Sequence, residues 1–178
     1  MKKSLFFLLL LLCGAATGFS QSGWYQWSDS ATQSSFKFPV TPIITDTLHT
    51  TMYNGSVDSL LGIQVHLFDS ACFDATEPLL AQALSANSGD TLRAIAQLAL
   101  LTTQATLFAL ADVLTDDRSG LELGLEFSEL QSNIPTLTFM RYFILGNRFL
   151  CFSITGSKDD LPRFLSYKET FFNAINFD

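Results

Sequence analysis

The sequence predicts an α+β fold, a mainly antiparallel sheet with helices packed on it. Three stretches carry that prediction. Around Gly146-Asn147, two runs rich in β-branched and aromatic residues meet at a glycine-first pair, which suits a two-residue type II′ turn. Leu121, Leu123, Leu125 and Phe127 alternate with Glu122, Gly124 and Glu126, the period of a strand with one buried face. In the closing segment, Asp159 or Asp160 can cap a helix with Pro162 in its first turn. Leu161, Phe164, Leu165, Phe172 and Ile175 then share one apolar stripe.

Taken in order, the chain opens with Met1-Lys2-Lys3, an apolar run from Leu5 to Leu12, small residues and Gly18-Phe19-Ser20. These are the three parts of a secretory signal peptide, and the run is too short to span a bilayer. Residues 1–20 are read as that signal and 21–178 as a single domain. Lipidation at Cys13 is disfavoured because Leu12 precedes it, where a small residue is wanted. Trp24, Tyr25 and Trp27 then read as the anchor of an incoming strand, with sugar or ligand binding as the lesser alternative, and Ser35-Phe36-Lys37-Phe38 forms a short strand stopped by Pro39 and Pro42. Residues 47–53 form another strand, and Asn54-Gly55 reads as a turn. Leu60 to Phe68 follows as a strand, with Ile63, Val65 and Leu67 on one face and Gln64 and His66 on the other.

After Phe68 the pattern becomes helical. One helix starts at Asp74 or Thr76 and runs to about Leu84, and a second starts at Asp90 or Thr91. Residues 104–113 favour a helix by composition and a strand by position, and strand is chosen. Residues 94–111 carry no charge, yet Gln97, Thr102, Thr103, Gln104 and Thr106 interrupt them, so a buried helix plus strand is preferred to a membrane helix. Asp116 to Gly120 is a turn before the alternating strand. The Gly146-Asn147 turn sets the hairpin register: Arg141 against Phe152, Phe143 against Leu150, and Tyr142 against Cys151 on the opposite face. Both faces are apolar, so both should be covered.

The chain has 178 residues and a formal charge of −7. Without residues 1–20, about 158 residues remain, with 8 basic and 17 acidic side chains. A domain of this length buries ~70% of its unfolded surface. Its acidity repels phosphate backbones, so nucleic acid is not an expected partner. Export permits a disulfide between Cys72 and Cys151, with two buried free cysteines as the alternative.

Catalytic motifs are missing: there is no Gly-x-Ser-x-Gly, phosphate-binding glycine loop, Cys-x-x-Cys or His-Glu-x-x-His. His66 with Asp69 offers two metal ligands where a zinc site needs at least three, so a strand histidine facing solvent or a polar partner is the better reading. Asp112, Asp116, Asp117, Glu122 and Glu126 lack the spacing of a calcium loop and read as a solvated turn. Arg141 is the informative residue. It falls between Phe139 and Phe143, and a buried arginine needs a partner. Glu122 or Glu126 can supply one, with stacking on Phe152. The functional alternative for Arg141 and Glu122 is an anion-binding cleft.

Trp27, Phe36-Lys-Phe-Pro39, Gly120-Leu-Glu122, Arg141 before Gly146-Asn-Arg-Phe-Leu, and Phe171-Phe172-Asn-Ala-Ile-Asn-Phe177 together resemble the PsbP-like fold family. That fold occurs in an extrinsic photosystem II subunit, in a nuclear-import factor that binds the GTPase Ran, and in small exported bacterial proteins. The resemblance implies an α/β/α sandwich around an antiparallel sheet. The chain departs from the pattern at Ala174, where serine is common, and in the alanine- and leucine-rich residues 75–113. The photosystem role does not transfer, since nothing else here points to a thylakoid.

The resulting expectation is an exported, non-catalytic binding or assembly module, periplasmic or extracellular, with a protein partner in the cell envelope. It has no cofactor and no transmembrane span in the mature chain. The alternative is a small-ligand carrier or an enzyme whose site is built from scattered residues.

Overall fold

The structure is a computed structural model that describes residues 23–69, 71, 89–127 and 135–178. The residues read as a signal, with Cys13, the helix read from Asp74 or Thr76, and Cys72 lie outside the described residues.

Seven strands form one antiparallel sheet in the order β3-β4-β5-β9-β8-β7-β6. They are β3 (Ile43–Asp46), β4 (Thr50–Asp58), β5 (Leu61–Asp69), β6 (Thr106–Thr115), β7 (Arg118–Phe127), β8 (Thr136–Leu145) and β9 (Arg148–Ser157). The remaining strands, β1 (Tyr25–Asp29), β2 (Ser34–Phe38) and β10 (Asn176–Phe177), make a second sheet in the order β1-β2-β10. Helices α1 (Gly89–Thr103) and α2 (Leu161–Phe172) cover opposite faces of the large sheet. Phe36, Phe38, Tyr53, Val65, Phe152, Phe164 and Phe171 fill the α2 side, while Leu92, Ile95, Leu121, Leu123, Met140 and Tyr142 fill the α1 side. This is the α+β sandwich with a C-terminal helix that the sequence predicts.

The β8–β9 hairpin has the register read from Gly146-Asn147, including Arg141 against Phe152 and Tyr142 against Cys151. Gly146 has φ +60, and Asn147 is not among the left-handed residues, as a type II′ turn requires. The β6–β7 turn is tighter than expected. Only Asp116 and Asp117 turn, both with positive φ as in a type I′ turn, and Arg118, Ser119 and Gly120 already belong to β7.

Residues 104–113 are a strand apart from Gln104 and Ala105, and α1 stops before them. Gln104 takes φ +56 and its N–H donates to Leu100 O, which closes the helix end. Among the described residues no helix is long and apolar enough to cross a membrane.

Four local expectations are overturned. Asn54-Gly55 is not a turn but the middle of β4; a Cβ on Gly55 would lie 2.7 Å from the Phe38 ring, so the glycine is there to let Phe38 lie on the sheet. Residues 47–49 form the β3–β4 connection, and β3 itself was not read from the sequence. The buried stripe of α2 is Phe164, Phe171 and Phe172; Leu161 and Leu165 lie exposed beside it, and Ile175 is buried but beyond the helix end at Phe172. The cap before α2 is Ser157, whose Oγ accepts from Asp159 N in a short 3-10 turn, whereas Asp160 makes no side-chain cap bond.

Candidate functional site

Glu122 on β7 and Arg141 on β8 are directly opposite in the ladder, on the face that α2 covers. Arg141 Nε donates to Glu122 Oε2 at 2.6 Å, and its Nη1 donates to the carbonyl of Phe172 at 3.3 Å. Lys168, from α2, reaches the other carboxylate oxygen, with Nζ 2.6 Å from Glu122 Oε1. The three side chains are only 12–19% exposed. The Arg141 guanidinium lies 4.5 Å from the centre of the Phe172 ring, and Lys168 Nζ lies 4.1 Å from that of Phe139. The stacking partner is therefore Phe172 rather than Phe152, which turns toward Phe36 and Phe171. Burial works against the charged Glu122 carboxyl, but the hydrogen bonds from Lys168 and Arg141 outweigh it and lower its pKa.

Lys168 is the member that sequence reasoning missed. Its signal was present: Phe164, Lys168 and Phe172 are spaced by four, so the lysine sits in the buried stripe of α2 and needs a carboxylate. Chemically the cluster ties a helix to the sheet by a fully used carboxylate. It also leaves one net positive charge shared by two cations and one anion.

The other acidic residues do not assemble. Asp112 pairs with Arg93 of α1, Glu126 with Lys158, and Asp116 accepts from the backbone N–H of Phe177. Among the described residues no group of three or more His, Cys, Asp or Glu side chains could hold a metal ion. Asp69 and His66 are three residues apart on β5 and so point to opposite faces. His66 does not face solvent or a polar partner, as the sequence reading had it. It is buried on the α1 side, its Nε2 has no hydrogen-bond partner among the described residues, and burial lowers its pKa to about 4. Cys151, its neighbour across β9, is also buried, and burial pushes its thiol up to about 12. A cleft of about 10 Å³ between Leu60, Ser157, Asp160, Arg163 and Phe164 has room for no more than one water.

Large apolar side chains are exposed at both edges of the seven-stranded sheet. At the β3 edge these are Ile43, Ile44 and Leu48, the last 89% exposed at the hairpin tip; at the β6 edge they are Leu107, Phe108, Leu110 and Leu114.

With this geometry in hand, solved structures supply the comparison. The solution structure of the cyanobacterial PsbP protein CyanoP from Synechocystis superposes with a TM-score of 0.58 at 13% identity, covering 93% of this chain and 99% of that one. The chain has a PsbP-like fold. A Pseudomonas aeruginosa protein of unknown function (TM-score 0.45, 9% identity, 83% and 92% covered) and a Bacteroides thetaiotaomicron protein (0.47, 12%, 86% and 48%) are more distant. No protein-family model and no curated protein matches the chain. The PsbP-like likeness is one of fold alone. It assigns no role to Arg141 or Glu122.

Proposed function

We propose that this protein is an exported, non-catalytic binding or assembly module that acts on a protein of the cell envelope. One observation carries the reading: the apolar side chains at the ends of the seven-stranded sheet, with Ile43 at 65% and Leu48 at 89% exposure on the β3–β4 hairpin. Exposed apolar groups gathered at a sheet end, as on this hairpin, suit a docking surface. The Glu122–Arg141–Lys168 cluster, by contrast, spends its carboxylate on internal partners, which suits a structural clamp. The PsbP-like fold and the signal-like N-terminus support export and protein contact, without naming the partner.

The test is a photo-crosslinking amino acid at Ile43 or Leu48 in cells that export the protein. A discrete adduct with one envelope protein, absent when the probe is moved to exposed Glu169 on α2, is the expected result. Adducts no stronger than those at Glu169 would defeat the reading.

A second reading, a small-ligand carrier, rests on the net positive charge left at the Arg141 cluster. Native mass spectrometry of the exported protein, compared with its denatured mass, would reveal a small anion lost on unfolding. Any pairing of Cys72 with Cys151 would appear in the same denatured mass as a loss of two hydrogens.

A further inference from the structure

One tripeptide recurs between residues 29 and 92. Five of the twelve aspartates are followed by serine or threonine, and in all five the next residue is alanine or leucine. They are Asp29-Ser30-Ala31, Asp46-Thr47-Leu48, Asp58-Ser59-Leu60, Asp69-Ser70-Ala71 and Asp90-Thr91-Leu92. Serine and threonine make up 35 of the 178 residues and alanine and leucine 44, so random order would give about one such tripeptide at most. Aspartate and serine favour turns, and local structure accounts for part of the pattern. Asp58 Oδ1 accepts from Leu60 N at 2.7 Å, Asp69 Oδ1 from Ala71 N at 3.1 Å, and Asp29 Oδ2 from Thr32 N at 2.7 Å. A turn does not account for all of it. Four of the aspartates end strands, but Asp90 lies in the first turn of α1, where the backbone is helical. Nor does packing ask for the third residue, since Leu48 is 89% and Leu60 41% exposed. Ser30, Thr47 and Ser59 are exposed in the β1–β2, β3–β4 and β4–β5 turns, each with an exposed third residue beside it. Thr91 and Leu92 are buried, and Ser70 lies outside the described residues. A repeated sequence that the fold does not use, displayed on surface turns, suits recognition by another molecule.

We infer that Ser30, Thr47 and Ser59 are O-glycosylation sites, recognised by a transferase through the aspartate before and the alanine or leucine after. This rests on export as proposed above. Outside the cytoplasm there is no pool of nucleoside triphosphate to phosphorylate a hydroxyl, whereas a sugar can be carried across the membrane on a lipid diphosphate. In the transfer, the side-chain Oγ attacks the anomeric carbon of that donor. The new C–O bond replaces the bond to the diphosphate, which leaves with the electron pair, and the hydroxyl proton passes to a base of the transferase. At Thr47 the sugar removes one surface bond, from Oγ1 to Thr50 O at 3.2 Å. On Thr47 and Ser59 a bulky polar group would stand beside Leu48 and Leu60 and shield them from water. T47A removes the sugar next to Leu48 and leaves Ile43 untouched, so docking at that hairpin can be measured with the sugar and without it.

The test is intact-mass and peptide mass spectrometry of the full chain, purified from the exported fraction of its own cells. Sugar-sized increments are expected on the peptides that hold Ser30, Thr47 and Ser59, and none on Thr91. D58N keeps an oxygen for the Leu60 N–H but removes the acid, and it should cut occupancy at Ser59 by at least about tenfold. S59T keeps both the acid and a hydroxyl and should retain the sugar. Exported protein at the bare mass of its sequence would overturn the inference. So would phosphate in place of sugar, sugars confined to hydroxyls outside the tripeptide, as much sugar on Thr91 as on Ser59, or full occupancy at Ser59 in D58N. Protein found only in the cytoplasm would defeat the export reading itself, and glycosylation with it.

Discussion

Removing the Arg141 guanidinium leaves the largely buried Glu122 with Lys168 alone for company. R141M keeps the apolar bulk against Phe172 but loses the 2.6 Å charge-assisted bond and the tie to the end of α2. Breaking one member of a largely buried pair is costly, and with water at the cluster's rim we expect a loss of about 2–3 kcal/mol in urea melts. A variant as stable as wild type would make the cluster dispensable to the fold and return Arg141 to the ligand reading. His66 gives a second residue-scale prediction. The folded protein resists protonating it down to about pH 4, while the unfolded chain binds that proton near pH 6.5. Unfolded molecules therefore hold more protons between those values. Stability is full above pH 6.5, falls as the pH drops toward 4, and this term is level below, a change of roughly 3 kcal/mol. H66L should erase that slope. It should also match or exceed wild-type stability at pH 7, because it removes an unpaired buried nitrogen. Urea midpoints measured from pH 7 to pH 4 on both proteins check it. The sequence showed that Arg141 needed a carboxylate, but it did not show which one. Glu122 and Glu126 both face α2 from β7, and only the pairing of β7 with β8 sets Glu122 directly opposite Arg141.

At the scale of elements, packing explains both what could be read and what could not. The β8–β9 hairpin was legible to the residue because its turn is local and Gly146 announces it. Asn54-Gly55 misled because its glycine answers to Phe38, which is distant in sequence and close in space. Leu161 and Leu165 misled because periodicity marks an apolar face but does not say how far a sheet reaches beneath it. The contact of α2 with β9 is similarly close. A Cβ added at Gly156 would overlap the Phe164 ring, itself 1% exposed. G156A should therefore cost about 2 kcal/mol through displacement of the helix. G156A combined with F164L should recover part of that loss in thermal melts, since the smaller side chain vacates the space.

At the scale of the whole molecule, one sheet divides two cores. The α2 side is crowded with phenylalanine rings from five elements, while the α1 side is lined by leucines of β7 and α1 with Met140 and Tyr142. The class of fold was legible because both faces of the hairpin carry apolar residues, which calls for cover on each side. The split into two sheets was not, because the strands of the smaller one lie at the two ends of the chain. β2 pairs with β10 through Ser35 with Asn176 and Ser34 with Phe177, and the Phe177 ring sits 4.8 Å from that of Phe143. Deleting residues 176–178 should strip β2 of its second neighbour and uncover Phe143. We expect a loss of about 3 kcal/mol or more, read by urea unfolding.

That closure has a temporal consequence. β1 and β2 cannot finish their sheet until residues 176 and 177 have been made. During synthesis a nascent chain thus holds β2 with an open place beside it, and only the emergence of Asn176 and Phe177 fills that place. A polypeptide built this way completes that small sheet only after nearly every other described element has been made.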